Sequence, residues 1–309
     1  MSIRGRDFLD LQDYTAEELW QIMKASKNLK ERTILGEVQE VLFGKSLAMI
    51  FQKPSTRTRV SFEMAMVQLG GHALNLSASE LQLGRGETVA DTARVMSRYV
   101  DGIMARVYSH SDLVELAKYA DIPVINGLSD LLHPCQVLSD LFTVWEKKGD
   151  LEGLKLAFVG DGNNVCNSLL TGCSKLGLDI AAACPKGYEP NESVLRSAKG
   201  NSEETGAEIT VTYDPGEAVK DADVVYTDVF VSMGQDAERE KKIKAFLPNY
   251  QVNAELMKKA SKEAIFMHCL PAHRGEEVTN EVIDGPQSIV WDQAENRMHG
   301  QKGILALLL

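Results

Sequence analysis

The feature that most constrains the fold of this chain is a repeated alternation of short apolar runs with amphipathic stretches of helical length. Ser46–Phe51 and Gly102–Arg106 are such runs in the first half, and Lys155–Val159 and Asp179–Ala183 repeat the pattern in the second. Strands that alternate with helices are typical of βα units and a parallel sheet. We therefore predict an α/β fold built from doubly wound parallel sheets.

The length of the chain predicts two domains. At 309 residues it exceeds the usual size of a single hydrophobic core. The glycine-bounded segment Gly149–Gly153 is the expected hinge, which gives a first domain over residues 1–149 and a second over 150–293. The last helix, about 294–309, is expected to return to the first domain. Ligands of such sheets bind beyond the carboxyl ends of the strands, so we expect the active site in the cleft between the domains.

Charge and cysteine content exclude several classes of function. A formal net charge of −11 argues against a nucleic-acid or anionic-membrane partner, because the summed field repels both. The five cysteines are scattered, with no CxxC pair, which is typical of free thiols in a reducing compartment. The first residues contain no apolar core of signal-peptide length, so a cytoplasmic protein is expected.

The stretch FQKPSTRTR, residues 51–59, concentrates positive charge in this acidic chain. It contains Lys53, Arg57 and Arg59 and follows an apolar run directly. Serine and threonine are common helix N-caps, so an ordinary capped helix is one interpretation. An anion site is the other, because helix amino termini bind phosphate and arginine can contact it through two N–H groups.

Polar residues follow several other predicted strands. Arg106 closes one apolar run, and His133 and Gln136 flank a helix start at Pro134. Later strands are followed by the segments Asp228–Gly234 and His268–Pro271. Cys269 has three interpretations: a nucleophile, a metal ligand with His268 and His273, or an inert buried thiol.

The segment Gly160-Asp161-Gly162 suggests a dinucleotide fold only weakly. The third glycine of that motif is missing at the proper spacing, and the first acidic residue after the next strand, Glu189, lies too far along the chain. Asn163 or Asn164, which follow, could instead orient a small polar substrate.

Taken together, these motifs resemble the aspartate/ornithine carbamoyltransferase family, and within it the ornithine branch. The shared motifs are STRT at residues 55–58, HPCQ at 133–136, Asp228 with SMG at 232–234, and HCLP at 268–271. They occur in family order and span nearly the whole chain. The resemblance implies transfer of a carbamoyl group from carbamoyl phosphate to the side-chain amine of L-ornithine, with no metal and no cofactor.

The resemblance also implies roles for individual residues. Arg106, His133, Asp228 and Cys269 correspond to the catalytic positions. Carbamoyl phosphate is expected to contact Ser55, Thr56, Arg57, Thr58, Gln82, Arg106, His133, Gln136, Cys269, Leu270 and Arg297. Ornithine is expected to contact Asn164, Asp228, Ser232 and Met233. In the family the side chain at position 82 reaches a neighbouring subunit's site, so a homo-oligomer, a trimer or an assembly of trimers, is expected.

Three alternatives stay open at this point. A carbamoyltransferase acting on putrescine would share much of the first half, and the SMG segment is what favours ornithine. A nucleotide-binding dehydrogenase depends on Gly160 and Gly162 alone. A non-catalytic anion-binding subunit of the same fold would be expected to carry degraded site motifs, and all four motifs are intact.

Overall fold

The computed structural model describes residues 2–77, 81, 86–232 and 234–309, except the side chain of Asp236. They form two compact units, one of the residues up to Phe142 with Glu295–Leu309 and one of Thr143–Ala294. The division falls inside two helices, Pro134–Lys148 and Val290–Leu308. The predicted domain division at residues 149 and 150 lies directly after the first of these helices.

The first unit contains a parallel sheet of four strands in the order β2-β1-β3-β4. Its strands are β1 (Ser46–Phe51), β2 (His72–Ser77), β3 (Gly102–Arg106) and β4 (Val124–Leu128). Its helices are α1 (Ala16–Ile34), α2 (Thr56–Gln68), α3 (Val89–Met96), α4 (His110–Tyr119), the start of α5 (Pro134–Lys148) and the end of α12 (Val290–Leu308).

The second unit contains a parallel sheet of five strands in the order β7-β6-β5-β8-β9. Its strands are β5 (Lys155–Val159), β6 (Asp179–Ala183), β7 (Ile209–Thr212), β8 (Val224–Thr227) and β9 (Ile265–His268). Its helices are α6 (Asn164–Leu176), α7 (Glu192–Thr205), α8 (Pro215–Val219), α9 (Arg239–Phe246), α10 (Ala254–Met257) and α11 (Asn280–Ile283). The α/β class and the two doubly wound parallel sheets are confirmed.

Buried apolar runs located the strands well, and a polar cap sets where α2 begins. The bounds of β1, β3, β5 and β6 coincide with the predicted runs. Helix α2 begins at Thr56, because the Ser55 side chain accepts a hydrogen bond from the Thr58 N–H and so caps the helix there. The STRT segment therefore contains the N-cap and the first turn of α2.

The final helix packs onto the first unit through glycines. A methyl group on Gly300 would lie 2.2 Å from Ser139 Oγ in α5, and one on Gly303 would lie 2.7 Å from the Ile22 carbonyl oxygen in α1. Both distances are far below van der Waals contact, so the helix backbones approach more closely than alanine permits. This contact accounts for the predicted return of the last helix to the first unit. Among the described helices, none is both long enough and apolar enough to cross a bilayer.

We expect Gly303→Ala to lower the free energy of unfolding by about 1–3 kcal/mol, because an overfilled helix contact must open. Gly200→Ala is the matched control, since Gly200 lies within α7 and an added methyl group there meets nothing within 4 Å. The control is expected to gain about 0.5–1 kcal/mol from the better helix propensity of alanine. Guanidinium unfolding of both variants measures the difference, and equal effects would contradict the packing argument.

Candidate active site

The amino terminus of α2 carries the first group of candidate residues. Ser55 is in an extended conformation and its Oγ accepts the Thr58 N–H at 3.2 Å. The first N–H groups of a helix lack intrahelical partners and lie at the positive end of its dipole. Thr56 is exposed and Arg57 half-buried beside them. The Arg57 Nε is buried without a hydrogen-bond partner among the described residues. An anion at this helix end would meet donors from backbone and side chain.

Three buried basic side chains, Arg106, Arg297 and His133, lie near one another in the first unit, and one of them contacts the buried Thr58. Arg106 ends β3 opposite Phe51 of β1, so parallel register brings it to the start of the 52–59 segment. Arg297, on α12, donates to the Thr58 Oγ1 at 2.5 Å. His133 directly precedes α5 and is 4% exposed. These residues lie far apart in sequence and are gathered by the sheet and the returning helix.

His133 is held in its neutral form. Burial lowers its pKa well below the usual value of 6.5, and the positive charges of Arg297 and Arg106 lower that pKa further. A neutral imidazole has one donor and one acceptor nitrogen. His133 can therefore donate a hydrogen bond to a carbonyl oxygen without adding a charge to the two arginines.

Gln136 supplies an acceptor in the same region. Its Nε2 donates to Asp140 Oδ1 at 2.8 Å, while its Oε1 is buried and has no hydrogen-bond partner among the described residues. Burying a polar atom without a partner is unfavourable, so such atoms are expected where a ligand supplies the partner. The group matches an N–H donor of a ligand.

Lys53 is a basic residue of this region to which sequence reasoning gave no role. It is buried, and its Nζ lies 4.5 Å from the centroid of the Tyr108 ring. Burial and the nearby Arg106 both lower its pKa. Its position two residues before Ser55 was the available signal, but the sequence did not reveal that this lysine is buried against an aromatic ring.

Asp228 is the centre of the second group, in the second unit. It is buried directly after β8, and its Oδ2 accepts the Asn163 Nδ2–H at 2.7 Å. Its Oδ1 accepts the Cys269 thiol at 3.1 Å and the Val229 N–H at 2.8 Å. Because β8 lies between β5 and β9, the loops that follow these three strands meet at one sheet edge. Cys269 is half-buried, unlike the other four cysteines.

The two neighbouring asparagines differ in how their side chains are used. The Asn163 Oδ1 accepts the Val165 and Cys166 N–H groups and so caps α6. Its Nδ2 is the donor to Asp228. Both ends of the Asn163 amide are thus occupied within the protein. Asn164 is the half-buried first residue of α6.

A glycine is required at position 162 because another segment of the backbone lies against it. A methyl group at Gly162 would lie 2.3 Å from the backbone of Glu189 and Pro190. The Gly162 N–H also donates to the Tyr188 carbonyl oxygen at 2.9 Å. The close approach that a glycine allows is therefore filled by the 188–190 segment. The one sequence feature that suggested a dinucleotide thus has a structural explanation.

The buried Lys242, which the sequence did not identify, holds the segment around Ser232 in place through hydrogen bonds. Lys242, in α9, is 3% exposed at its side chain and forms an ion pair with Asp161. It also donates to Gln235 Oε1 at 2.8 Å, and that oxygen accepts the Ser232 N–H at 3.2 Å. Lys242 thereby connects the loop after β5 with the loop after β8. A lysine in a charged helix gives no sequence signal of burial.

Two predicted residues lie outside the described part of the chain, Gln82 and Met233. Leu270, half-buried, has a positive φ of 58°. Among the described residues, Asp228, His268 and Cys269 place potential metal-ligand atoms within 4.8 Å of one another. The Cys269 thiol donates to Asp228, however, and both His268 nitrogens are in hydrogen-bonding contacts. A metal there would have to displace these contacts.

Two family models match consecutive parts of the chain. Residues 6–146 match the carbamoyl-P binding domain of aspartate/ornithine carbamoyltransferase, and residues 152–308 match the Asp/Orn binding domain. The second match includes α12, although that helix ends in the first structural unit.

Similar full-length proteins are known in both sequence and structure. An ornithine carbamoyltransferase of Pyrococcus horikoshii is 61% identical over 309 residues, which cover 100% of this chain and 97% of that protein. The solved ornithine carbamoyltransferase of Pyrococcus furiosus is 61% identical with a TM-score of 0.97, covering 100% of this chain and 98% of the other. The enzyme of Giardia lamblia is 35% identical with a TM-score of 0.88, covering 98% and 97%.

Proposed function

The chain belongs to the aspartate/ornithine carbamoyltransferase family, and from that premise we propose that it transfers the carbamoyl group of carbamoyl phosphate to L-ornithine. The products are L-citrulline and phosphate. The observation that carries the proposal is the buried group of Arg106, His133 and Arg297, of which Arg297 contacts Thr58 in the first turn of α2. Such a concentration of donors suits a small phosphorylated ligand, and the names of the relatives support ornithine as the acceptor.

Carbamoyl phosphate binds, in this proposal, to the first group of residues. The phosphate lies at the amino terminus of α2, where Ser55, Thr56 and Thr58 supply donors and Arg57 supplies a guanidinium fork. Arg106 and the neutral His133 donate to the carbamoyl oxygen. The Gln136 Oε1, which lacks a hydrogen-bond partner among the described residues, accepts from the carbamoyl NH₂ group.

Ornithine binds to the second group. The Asp228 carboxylate, buried and already paired with Asn163 and Cys269, attracts the cationic α-amino group of the substrate. Asn164, Ser232 and Met233 complete the contacts to the amino-acid end. Asn163 is committed to capping α6, which favours Asn164 as the asparagine that contacts ornithine.

The reaction is a direct attack of the side-chain amine on the carbamoyl carbon. A C–N bond forms, negative charge develops on the carbonyl oxygen, and the C–O bond to phosphate breaks as the nitrogen loses one proton. Donors that already point at the developing charge lower the barrier, and one such donor is worth on the order of 10²–10³ in rate. Cys269 and Leu270 position the reacting groups, and Arg297 contacts carbamoyl phosphate. No covalent intermediate is needed.

We also propose that the chain works as a homo-oligomer, a trimer or an assembly of trimers. Val60, Met64 and Val67 are exposed by 52%, 39% and 55%, and their spacing places them on one side of α2. An apolar stripe of this kind suits burial against another copy of the chain. A fully active single chain in size-exclusion chromatography with light scattering would contradict this proposal.

The acceptor is tested by comparing four amines with carbamoyl phosphate as donor: ornithine, putrescine, N-acetylornithine and aspartate. We expect ornithine to give the highest kcat/KM, because its charged α-amino and carboxylate groups both find partners. Chromatographic detection of each product separates the candidates. Preferred carbamoylation of putrescine would instead support the alternative substrate, and no transfer to any of the four would overturn the proposed function.

We expect Arg57→Ala to lower kcat/KM for carbamoyl phosphate by at least about 10²-fold, because a donor to the leaving phosphate is lost. Arg59→Ala is the matched control two residues away. Arg59 is exposed and forms a surface ion pair with Glu63 at 3.7 Å, and such pairs contribute little. Steady-state kinetics with saturating ornithine provide the measurement, and comparable losses in both variants would remove Arg57 from the phosphate site.

We expect kcat/KM for ornithine to rise about tenfold per pH unit from pH 6 to 8, without an inflection near pH 6.5. The attacking amine, with an unperturbed pKa of about 10.4, gains its reactive neutral form as the pH rises. The lowered pKa of His133 means that the imidazole stays neutral until the pH falls well below 6.5. An inflection near pH 6.5 that vanishes in His133→Gln would show instead that His133 titrates in this range.

A further inference from the structure

A buried carboxylate lies behind the HCLP segment and is not part of either group of candidate residues. Glu277 and His268 both have fully buried side chains, and the His268 Nε2 lies 3.1 Å from the Glu277 Oε1. We infer that Glu277 is a positioning residue for carbamoyl transfer, acting through His268 on the backbone of Leu270. This inference deepens the proposed function and rests on it, because it assumes that Cys269 and Leu270 lie at the reacting centre.

The hydrogen bonds determine the tautomer of His268. The Leu270 N–H can only donate, and it points to the His268 Nδ1 at 2.9 Å, so this nitrogen is an acceptor without a proton. The proton of the neutral ring is then on Nε2, from which it is donated to Glu277. Glu277 therefore selects the ring form that can accept from Leu270. Without that carboxylate the other tautomer becomes accessible, and it would present N–H to N–H at Leu270.

Leu270 needs such support, because its backbone is in an unfavourable conformation. Its φ of 58° lies in the left-handed region, and among the described residues the only other non-glycine with a positive φ is Asp221. This region is unfavourable for a residue with a Cβ, because the Cβ crowds the following carbonyl oxygen. Strained backbone persists where the surroundings hold it, and it is concentrated at ligand-binding positions. The bond from the Leu270 N–H to His268 is one contact that holds it.

The same carboxylate also holds the far end of the segment. The Glu277 Oε1 accepts the His273 N–H at 2.5 Å, so one oxygen contacts both His268 and His273. Between these two anchors lie Cys269, whose thiol donates to Asp228, and Leu270. A shift of the Leu270 backbone would therefore also move the neighbouring Cys269. The position of both residues depends on a side chain that is itself fully buried.

Glu277→Gln and Glu277→Leu separate positioning from packing. Glutamine keeps an acceptor oxygen for His268 and His273, whereas leucine fills a similar volume without one. We expect Glu277→Leu to lower kcat by about 10²-fold, the typical effect of misplacing a reacting group by about 1 Å. KM for carbamoyl phosphate is expected to change less than threefold, because the phosphate contacts lie in the other unit. Glu277→Gln should recover kcat to within about fivefold of the unmodified protein.

Alkylation of Cys269 by iodoacetamide gives a readout that does not depend on turnover. Cys269 is the only one of the five cysteines that is not buried, and Cys269→Ser identifies its signal. Loss of the carboxylate should free the segment and change the rate of alkylation at least fivefold in Glu277→Leu. Glu276→Leu is the matched control, since the adjacent Glu276 is paired with Arg239 at the surface and should leave the rate unchanged.

The variant His268→Asn tests whether Glu277 acts on the Leu270 backbone through His268. In His268→Asn, the asparagine oxygen can accept the N–H two residues later, as in an Asx-turn, without help from Glu277. Adding Glu277→Leu to this variant should change the alkylation rate less than twofold. An equal effect of Glu277→Leu in both backgrounds would overturn the route through His268. A lowered melting temperature with unchanged kcat and alkylation rate would overturn the positioning role and leave Glu277 a structural residue.

Failure of the proposed function would give different results from failure of the inference about Glu277. If the unmodified protein transferred no carbamoyl group to any of the four amines, the function would be wrong. The alkylation rates would still decide whether Glu277 and His268 hold the Leu270 backbone. If transfer occurs but neither kcat nor alkylation responds to Glu277→Leu, only the inference about Glu277 fails.

Discussion

Parallel pairing of the strands is the constraint on which the candidate active site depends. It directs the carboxyl ends of neighbouring strands to the same sheet edge, so loops distant in sequence become neighbours. In the first sheet it places Arg106 opposite Phe51, where the segment proposed to bind phosphate begins. In the second it places Thr227 between Val159 and His268. Asp228 and Cys269 then meet across 41 residues of sequence.

Both groups of candidate residues bury charge, which is unfavourable for stability unless other groups compensate it. The first group gathers arginines around a histidine whose pKa is lowered, so a positive field remains for an anion. The second group surrounds the negative Asp228 with donors from Asn163, Val229 and Cys269. The sign of each field suits one substrate: phosphate with developing negative charge in the first, and a cationic amino group in the second.

Much of the fold and the composition of the candidate site could be predicted from the sequence. The bounds of β1 and β5 followed from apolar runs, because strands buried on both faces contain little else. The family resemblance supplied the candidate residues, and the cap at Ser55 was one of two open interpretations of the STRT segment. The buried Lys53 and Lys242 were missed, because sequence patterns do not reveal which lysine folds inward.

The sequence by itself determined the α/β class, the location of the strands and the identity of the motifs, since these depend on neighbours along the chain. Only the tertiary structure decided how individual polar atoms are used. In the folded protein the Asn163 side chain caps α6 and donates to Asp228, 65 residues away. The backbone of Glu189 and Pro190 occupies the space next to Gly162. The tertiary structure also placed Glu277 behind His268. Which atoms form hydrogen bonds across a sheet depends on differences in distance of a few tenths of an ångström. These distances are fixed only once the sheets and helices have packed.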